Sequence, residues 1–184
     1  EVRVSGHRFT TFGLLVLLVS FESLLNGAFF ADAAPRGLIG GIGIAIGISI
    51  LNVLLAFSIG LGPARWLHHS NWLVKVIGAF TLIFGALTLF CLHGFALHLR
   101  EASSTLLLSN PLFTPREAME LAIQTILNAP LAIHDLNSFY LFALGVVFAF
   151  AALLKGYRLD DPYPGYGAHY RRAEAAREAY SQAH

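Results

Sequence analysis

The sequence predicts an all-α integral membrane protein with four transmembrane helices. Four continuous apolar runs each approach or exceed the roughly 20 residues that a helix needs to cross a hydrocarbon core. Charged residues make up only 12% of the 184 residues, about half the share typical of soluble domains. The runs do not alternate apolar and polar residues, as barrel strands do over about ten residues. They are residues 9–31, 37–62, 72–99 and 138–154.

The first two spans are separated by a turn. Span 9–31 follows a short polar segment, residues 1–8. It is too long for the apolar region of a secretory signal, which covers roughly 7–15 residues. Pro35 opposes a helix that continues into span 37–62. Because the chain opens on Glu1 and not on methionine, we expect it to be processed or to be part of something longer.

The third span is predicted to start at a membrane–water interface. Trp66 and Trp72 flank a short polar stretch, and their amphipathic rings suit that interface. Lys75 can extend its ammonium group to the headgroups. We expect the span to end at Leu99, so that Arg100–Asn137 forms the longest segment outside the bilayer.

An additional helix is predicted inside that segment, over about residues 114–128. Thr114, Pro115 and Glu117 have the spacing of an N-cap, a first-turn proline and a capping-box glutamate. Apolar and polar residues fall on opposite faces, which is typical of an amphipathic helix that lies on the bilayer or caps the bundle. The apolar face consists of Met119, Ala122, Ile123, Ile126 and Leu127.

The fourth span completes a transmembrane domain over residues 9–155 and leads into a tail, residues 156–184. The tail begins with a proline- and glycine-rich turn that cannot be helical and continues as a polar helix. With four crossings both termini share one side, and that side carries nine of the twelve Lys and Arg residues. The positive-inside rule makes it cytoplasmic or matrix-like, in a bacterial or organellar inner membrane. The remaining three basic residues are Arg36, Arg100 and Arg116.

Glu22 is the most informative single residue. It lies about nine residues from the outer end of the first span, roughly 13 Å below it by helix rise. A charged carboxylate at such a depth costs about 2.5–3.5 kcal/mol on insertion scales. Asn26 lies one turn further along the same face. We expect a polar site here, either a neutral or paired carboxyl that fixes helix packing, or a proton or cation site.

Depth matching suggests His93 as the partner of Glu22. The third span runs in the same direction as the first, and His93 lies about six residues from its outer end. An ion pair between the two side chains would keep Glu22 ionised. We treat this contact as a hypothesis.

Glycines in the second span indicate close helix packing. Gly37 and Gly41, like Gly43 and Gly47, are four residues apart, the spacing that lets two helix backbones touch. The partner helix stays open: the first span, the third span or a second copy. Asn52 matches the depth of Thr81 in the third span. We therefore expect a hydrogen bond between the two side chains that stabilises the packing of these helices.

No established site motif accompanies these features. The glycine run lacks the preceding strand that a dinucleotide site needs. Bis-histidine haem would need histidines on two facing helices, whereas His93 and His98 share one span and His134 lies in the loop. His68-His69 is a weak metal candidate without an acidic or thiol neighbour. No hydrolase, metalloprotease or P-loop pattern occurs. A net charge of +1 gives no basic surface for nucleic acid.

The sequence therefore predicts a non-enzymatic multi-span subunit without cofactor, metal or catalytic residues. Its role would be that of an anchor, assembly or accessory component of a larger membrane complex. Its partners would be the lipid bilayer and other membrane subunits or copies of itself. The alternative is an ion- or proton-conducting channel or transporter component that uses Glu22. Such a pore would need a hydrophobic gate, because the stretch from Leu14 to Val19 is wholly apolar.

Overall fold

A computed structural model describes residues 8–159 and 166–183, and within them every regular element is a helix. Four of these helices are long and apolar enough to cross a membrane, namely α1, α2, α4 and α6. The predicted all-helical architecture with four candidate spans is therefore confirmed. The elements are α1 (Arg8–Ala31), α2 (Gly37–Leu61), α3 (Pro63–Trp66), α4 (Trp72–Ser109), α5 (Pro115–Asn128), α6 (Leu136–Tyr157) and α7 (Tyr166–Ala183).

Helix α2 is central, since it packs along both α1 and α6 and also touches α4. A β-carbon on Gly41 would lie 2.6 Å from the carbonyl oxygen of Gly27, so the α1 and α2 backbones approach closely there. At the other end of α2, β-carbons on Gly60 and Gly156 would overlap backbone atoms of the facing helix. Small residues permit this backbone contact. Glycine therefore sets the spacing between α1 and α2 at Gly41 and between α2 and α6 at Gly60 and Gly156.

Helix α4 extends ten residues beyond the expected end at Leu99, as far as Ser109. The charge of Arg100 led us to expect an exit from the span, but no proline or glycine follows before Asn110. Arg100 is only 3% exposed, because hydrogen bonds within the protein replace its hydration. The segment from Arg100 to Asn137, predicted to lie outside the span, therefore begins as a continuation of the same helix.

Helix α5 begins at Pro115, next to a capping box. The Thr114 backbone N–H donates to Glu117 Oε2 at 2.6 Å, and the Glu117 N–H donates to Thr114 Oγ1 at 3.4 Å. Ala118 and Ala122 are buried in the core that α5 shares with α4, whereas Met119 is 45% exposed. The small side chains, and not the large apolar ones, thus form the buried side of α5.

The ends of the last two helices differ slightly from expectation. Helix α6 starts two residues before the predicted Ser138, because Asp135 Oδ1 accepts from the Asn137 N–H at 3.3 Å and caps it. It ends at Tyr157, three residues beyond Leu154. Helix α7 covers Tyr166–Ala183, so Tyr166 and Gly167 are helical, whereas the sequence predicts them in the proline- and glycine-rich turn before a polar helix over 168–183. Most of the predicted segment 1–8 and of the proline- and glycine-rich turn lies outside the described residues.

Candidate functional site

Glu22 is the centre of a polar cluster buried between α1, α2 and α6. Its side chain is 0% exposed. Oε1 accepts hydrogen bonds from Asn52 Nδ2 at 2.7 Å and from Asn26 Nδ2 at 3.4 Å. Asn52 Nδ2 also donates to the Gly145 carbonyl oxygen at 3.0 Å. We call Glu22, Asn26, Asn52 and the Gly145 carbonyl the Glu22 cluster.

The local fold explains how these side chains meet. Glu22 and Asn26 are four residues apart and therefore share one face of α1. The turn after α1 leads into Gly37, the first residue of α2, whose φ of +57° suits glycine, and α2 then returns antiparallel to α1. Side chains lean toward the N-terminus of their own helix. Glu22 on α1 and Asn52 on α2 therefore lean toward each other along the bundle.

Several polar atoms of this region are buried without a hydrogen-bond partner. Asn52 Nδ2 faces two oxygen acceptors, so its amide orientation is determined and Oδ1 must point elsewhere. Among the described residues Glu22 forms no ion pair with a Lys, Arg or His side chain. The oxygens without a partner are Glu22 Oε2, Ser23 Oγ, Asn26 Oδ1, Ser49 Oγ and Asn52 Oδ1.

His93 is buried on α4 at 2% exposure but does not hydrogen-bond Glu22. Its ring lies against Gly145, where a β-carbon would overlap it, and edge-on to Phe142 at a centroid distance of 6.0 Å. Helix α1 packs on α2 and α6 and not along α4. Matching the depths of residues along their helices does not fix on which side of the bundle each side chain lies. The side chain from another helix that hydrogen-bonds Glu22 is therefore Asn52 and not the predicted His93.

The other predicted packing residues have separate roles. Of the four glycines, only Gly41 makes a close backbone contact; a β-carbon on Gly37, Gly43 or Gly47 would have no atom within 4 Å. The predicted hydrogen bond between Asn52 and Thr81 is not formed. Thr81 Oγ1 instead donates to the Ile77 carbonyl of its own helix at 2.8 Å, and Asn52 faces α1 and α6.

A second polar group, which sequence reasoning missed, lies where α4 meets the start of α6. Arg100 Nε donates to the Phe29 carbonyl oxygen at 2.7 Å, and Nη1 donates to Ser138 Oγ at 3.0 Å and pairs with Asp135. We call these contacts the Arg100 clamp. The signal for it was the long stretch without a helix breaker after Leu99, which keeps Arg100 inside the helix.

The neighbouring residues of α4 hold the loop before α6. Glu101 Oε1 accepts from the backbone N–H groups of His134 and Asp135 at 2.8 and 3.0 Å. His98 Nε2 lies 3.0 Å from the Pro130 carbonyl oxygen. The three histidines considered for haem therefore have separate surroundings, and His134 has a side chain that is 77% exposed.

Within the described ranges, no group of three or more His, Cys, Asp or Glu side chains is placed to hold a metal ion. The Glu22 cluster offers different chemistry, because carboxylate, amide and backbone carbonyl oxygens suit a proton or a hard cation. No protein-family model, no curated protein sequence and no solved structure matches the chain.

Proposed function

We propose that this chain is an integral membrane protein that serves as a non-enzymatic anchor, assembly or accessory subunit of a larger membrane complex. The four long helices expose large apolar side chains, with Phe80 and Phe84 both 71% exposed and Ile39 81% exposed. Apolar patches of that extent are rare on soluble monomers, and lipid would cover them. The absence of enzymatic activity is part of the proposal because the sequence lacks catalytic motifs.

The observation that carries the assembly role is an uncovered glycine pair on α2. Gly43 and Gly47 face outward, and β-carbons there would meet nothing within 4 Å. Gly47 also lines an apolar groove of about 320 Å³ between α2, α4 and α5. In lipid, helices associate by close packing at small residues four apart. A second membrane helix, from another subunit or another copy, would fit this face.

The experiment purifies the tagged protein from its native membrane in mild detergent and identifies the subunits bound in stoichiometric amounts. The variants Gly43→Leu and Gly47→Leu add a bulky side chain to the outward face of α2, where a β-carbon meets no other atom of the chain within 4 Å. We therefore expect them to fold normally but to lose the bound subunit. Gly13→Leu is the matched control, because Gly13 is also exposed with nothing within 4 Å of its β-carbon position. A wild-type protein that purifies as a monomer, with neither another subunit nor a second copy bound, would contradict the proposal.

The conduction alternative has less support. A carboxylate ring around an oligomer axis needs Glu22 on an outer face, whereas its side chain is 0% exposed inside one bundle. A path through the single bundle would need a continuous polar route past Leu15, Leu18 and Val19, which line an apolar core. Ion flux in liposomes that disappears in Glu22→Gln would favour conduction over the assembly role.

The proposal keeps the predicted topology, with both termini on the cytoplasmic or matrix-like side of an inner membrane. The uneven distribution of Lys and Arg supports this orientation. In that orientation α5 lies on the outer side and α7 belongs to the cytoplasmic tail. The apolar residues Met119, Ile123 and Leu127 of α5 are exposed, which suits a helix resting on the bilayer surface.

A further inference from the structure

We infer that the Glu22 cluster is a binding site for a small monovalent cation of the Na⁺ type. Glu22 Oε2, Asn26 Oδ1 and Asn52 Oδ1 are its principal ligands, and all three are buried without a partner. Asn26 and Asn52 are the two side chains that donate to Glu22 Oε1. The three unpartnered oxygens therefore belong to side chains of one hydrogen-bonded cluster.

An ionised Glu22 in this cluster would need a counterion. The carboxylate is fully buried, and its two hydrogen-bond donors, Asn26 and Asn52, are neutral. An isolated ionised carboxylate in an apolar interior costs far more than a folded protein tolerates, so the site holds either a proton or a cation. A proton on Oε2 would remove the charge but could donate to only one acceptor, leaving an amide oxygen unsatisfied. A cation bound to Oε2 would remove the charge and would also take the two amide oxygens as ligands.

Two serine hydroxyls provide an independent indication. In apolar surroundings a helical Ser or Thr usually donates to the carbonyl four residues earlier. Ser23 and Ser49, which are 4% and 0% exposed, have no partner at all. Ser49 lies three residues before Asn52 and so shares its face of α2, whereas Ser23 directly follows Glu22 on α1. Their hydroxyl oxygens are not engaged elsewhere, and that of Ser49 would be the next ligand of a cation bound in the cluster. The residues that follow the usual pattern are Ser20, Ser58, Thr81, Thr88, Ser103, Thr105 and Thr125.

The donor set decides which cation fits. Every available ligand is an oxygen, which favours hard ions over transition metals. One carboxylate neutralises one positive charge, so a divalent ion would leave a net positive charge buried in the bundle. A monovalent ion leaves the site neutral. This inference does not require a partner subunit, so it stands or falls separately from the assembly role.

The test measures thermal unfolding of the full-length protein in detergent or nanodiscs as NaCl replaces choline chloride at constant ionic strength. A ligand that binds only the folded state raises stability by mass action. We expect little change of the midpoint well below the dissociation constant and, above it, a rise of about 3–6 °C for each tenfold increase in Na⁺. Direct binding of radioactive ²²Na⁺ should give a stoichiometry of one ion per chain.

Two variants and a control make the result specific. Glu22→Gln keeps the side-chain shape and removes the charge, so it should abolish both Na⁺ binding and the Na⁺ dependence of unfolding. Ser49→Ala, with an intact carboxylate, should weaken Na⁺ binding about tenfold. Ser103→Ala is the control, because that serine is equally buried but donates to Leu99, and it should bind like wild type. If stability depends on pH but not on Na⁺, the site binds a proton and the inference is wrong. If Glu22→Gln responds to Na⁺ like wild type, the Na⁺ effect arises elsewhere and the inference is also wrong.

Discussion

Gly145 of α6 contacts two buried polar side chains, Asn52 and His93. Its carbonyl oxygen accepts from Asn52, and its α-carbon faces the ring of His93. A side chain of any size would displace the imidazole, because β-carbon and ring would occupy the same space. The absence of a side chain at residue 145 therefore allows α6 to pack between α2 and α4.

Gly145→Ala should lower the free energy of unfolding by about 1–3 kcal/mol, the usual cost of overpacking a core. Chemical denaturation in detergent measures the change. Gly94→Ala serves as the control, since a β-carbon there would meet nothing within 4 Å, and it should be neutral or slightly stabilising. Adding His93→Ala to Gly145→Ala should recover part of the loss. Equal stabilities of Gly145→Ala and Gly94→Ala would contradict the proposed steric conflict.

At the residue scale, the sequence could identify Glu22 and its neighbour Asn26 on the same helix, but not the partner of Glu22 on another helix. A carboxylate inside an apolar run is conspicuous because of its desolvation cost alone. The choice between His93 and Asn52 depended on the angular position of each helix around the bundle, which hydropathy does not encode. The same limit applies to Gly43 and Gly47, whose spacing indicated close packing but not against which helix.

At the element scale, α5 illustrates how local sequence fixes a helix start. Thr114 and Glu117 exchange hydrogen bonds across the first turn. The two residues are only three positions apart in the sequence. Capping is therefore readable from sequence, and the predicted range 114–128 agrees with Pro115–Asn128. The burial of Arg100 within α4 could not be predicted from local sequence. It depends on contacts with Phe29 at the end of α1 and with Asp135 and Ser138 at the start of α6.

The capping box should make the start of α5 sensitive to acid. The Thr114 backbone N–H, followed by its side chain, lowers the pKa of Glu117 from the ordinary 4.5. A carboxylate with a lowered folded-state pKa stabilises the helix above its unfolded pKa, and the contribution is lost as pH falls through the lower value. Amide hydrogen exchange in residues 115–128 should therefore be faster in Glu117→Ala than in wild type at pH 7, and the difference should shrink as pH falls through the lowered pKa of Glu117. Exchange in α6, as an internal control, should be the same in both proteins. A difference that stays constant throughout an acid titration would show that the capping carboxylate is not responsible.

At the scale of the whole molecule, contacts at three levels tie the long helices together. The α2 and α6 backbones meet at Gly60 and Gly156, the Glu22 cluster joins α1, α2 and α6, and the Arg100 clamp joins α4 to α1 and α6. The last two are polar contacts within an apolar bundle. The hydrogen bonds of these two groups favour one arrangement of helices, because a rotation of any helix would break them.

The Arg100 clamp should be the most costly of these contacts to remove. Arg100→Met keeps the side-chain length but leaves the Phe29 carbonyl and Asp135 without their donor. Breaking a buried ion pair costs about 3–5 kcal/mol, and the 40% exposure of the Asp135 side chain places the expected loss near the lower limit. Arg116→Met is the matched control, because the Arg116 side chain is 87% exposed and its pair with Glu120 is a surface pair worth about 0.3–0.5 kcal/mol. Denaturation of both variants in the same detergent gives the comparison. Similar small losses would mean that the guanidinium contributes no more than a surface charge.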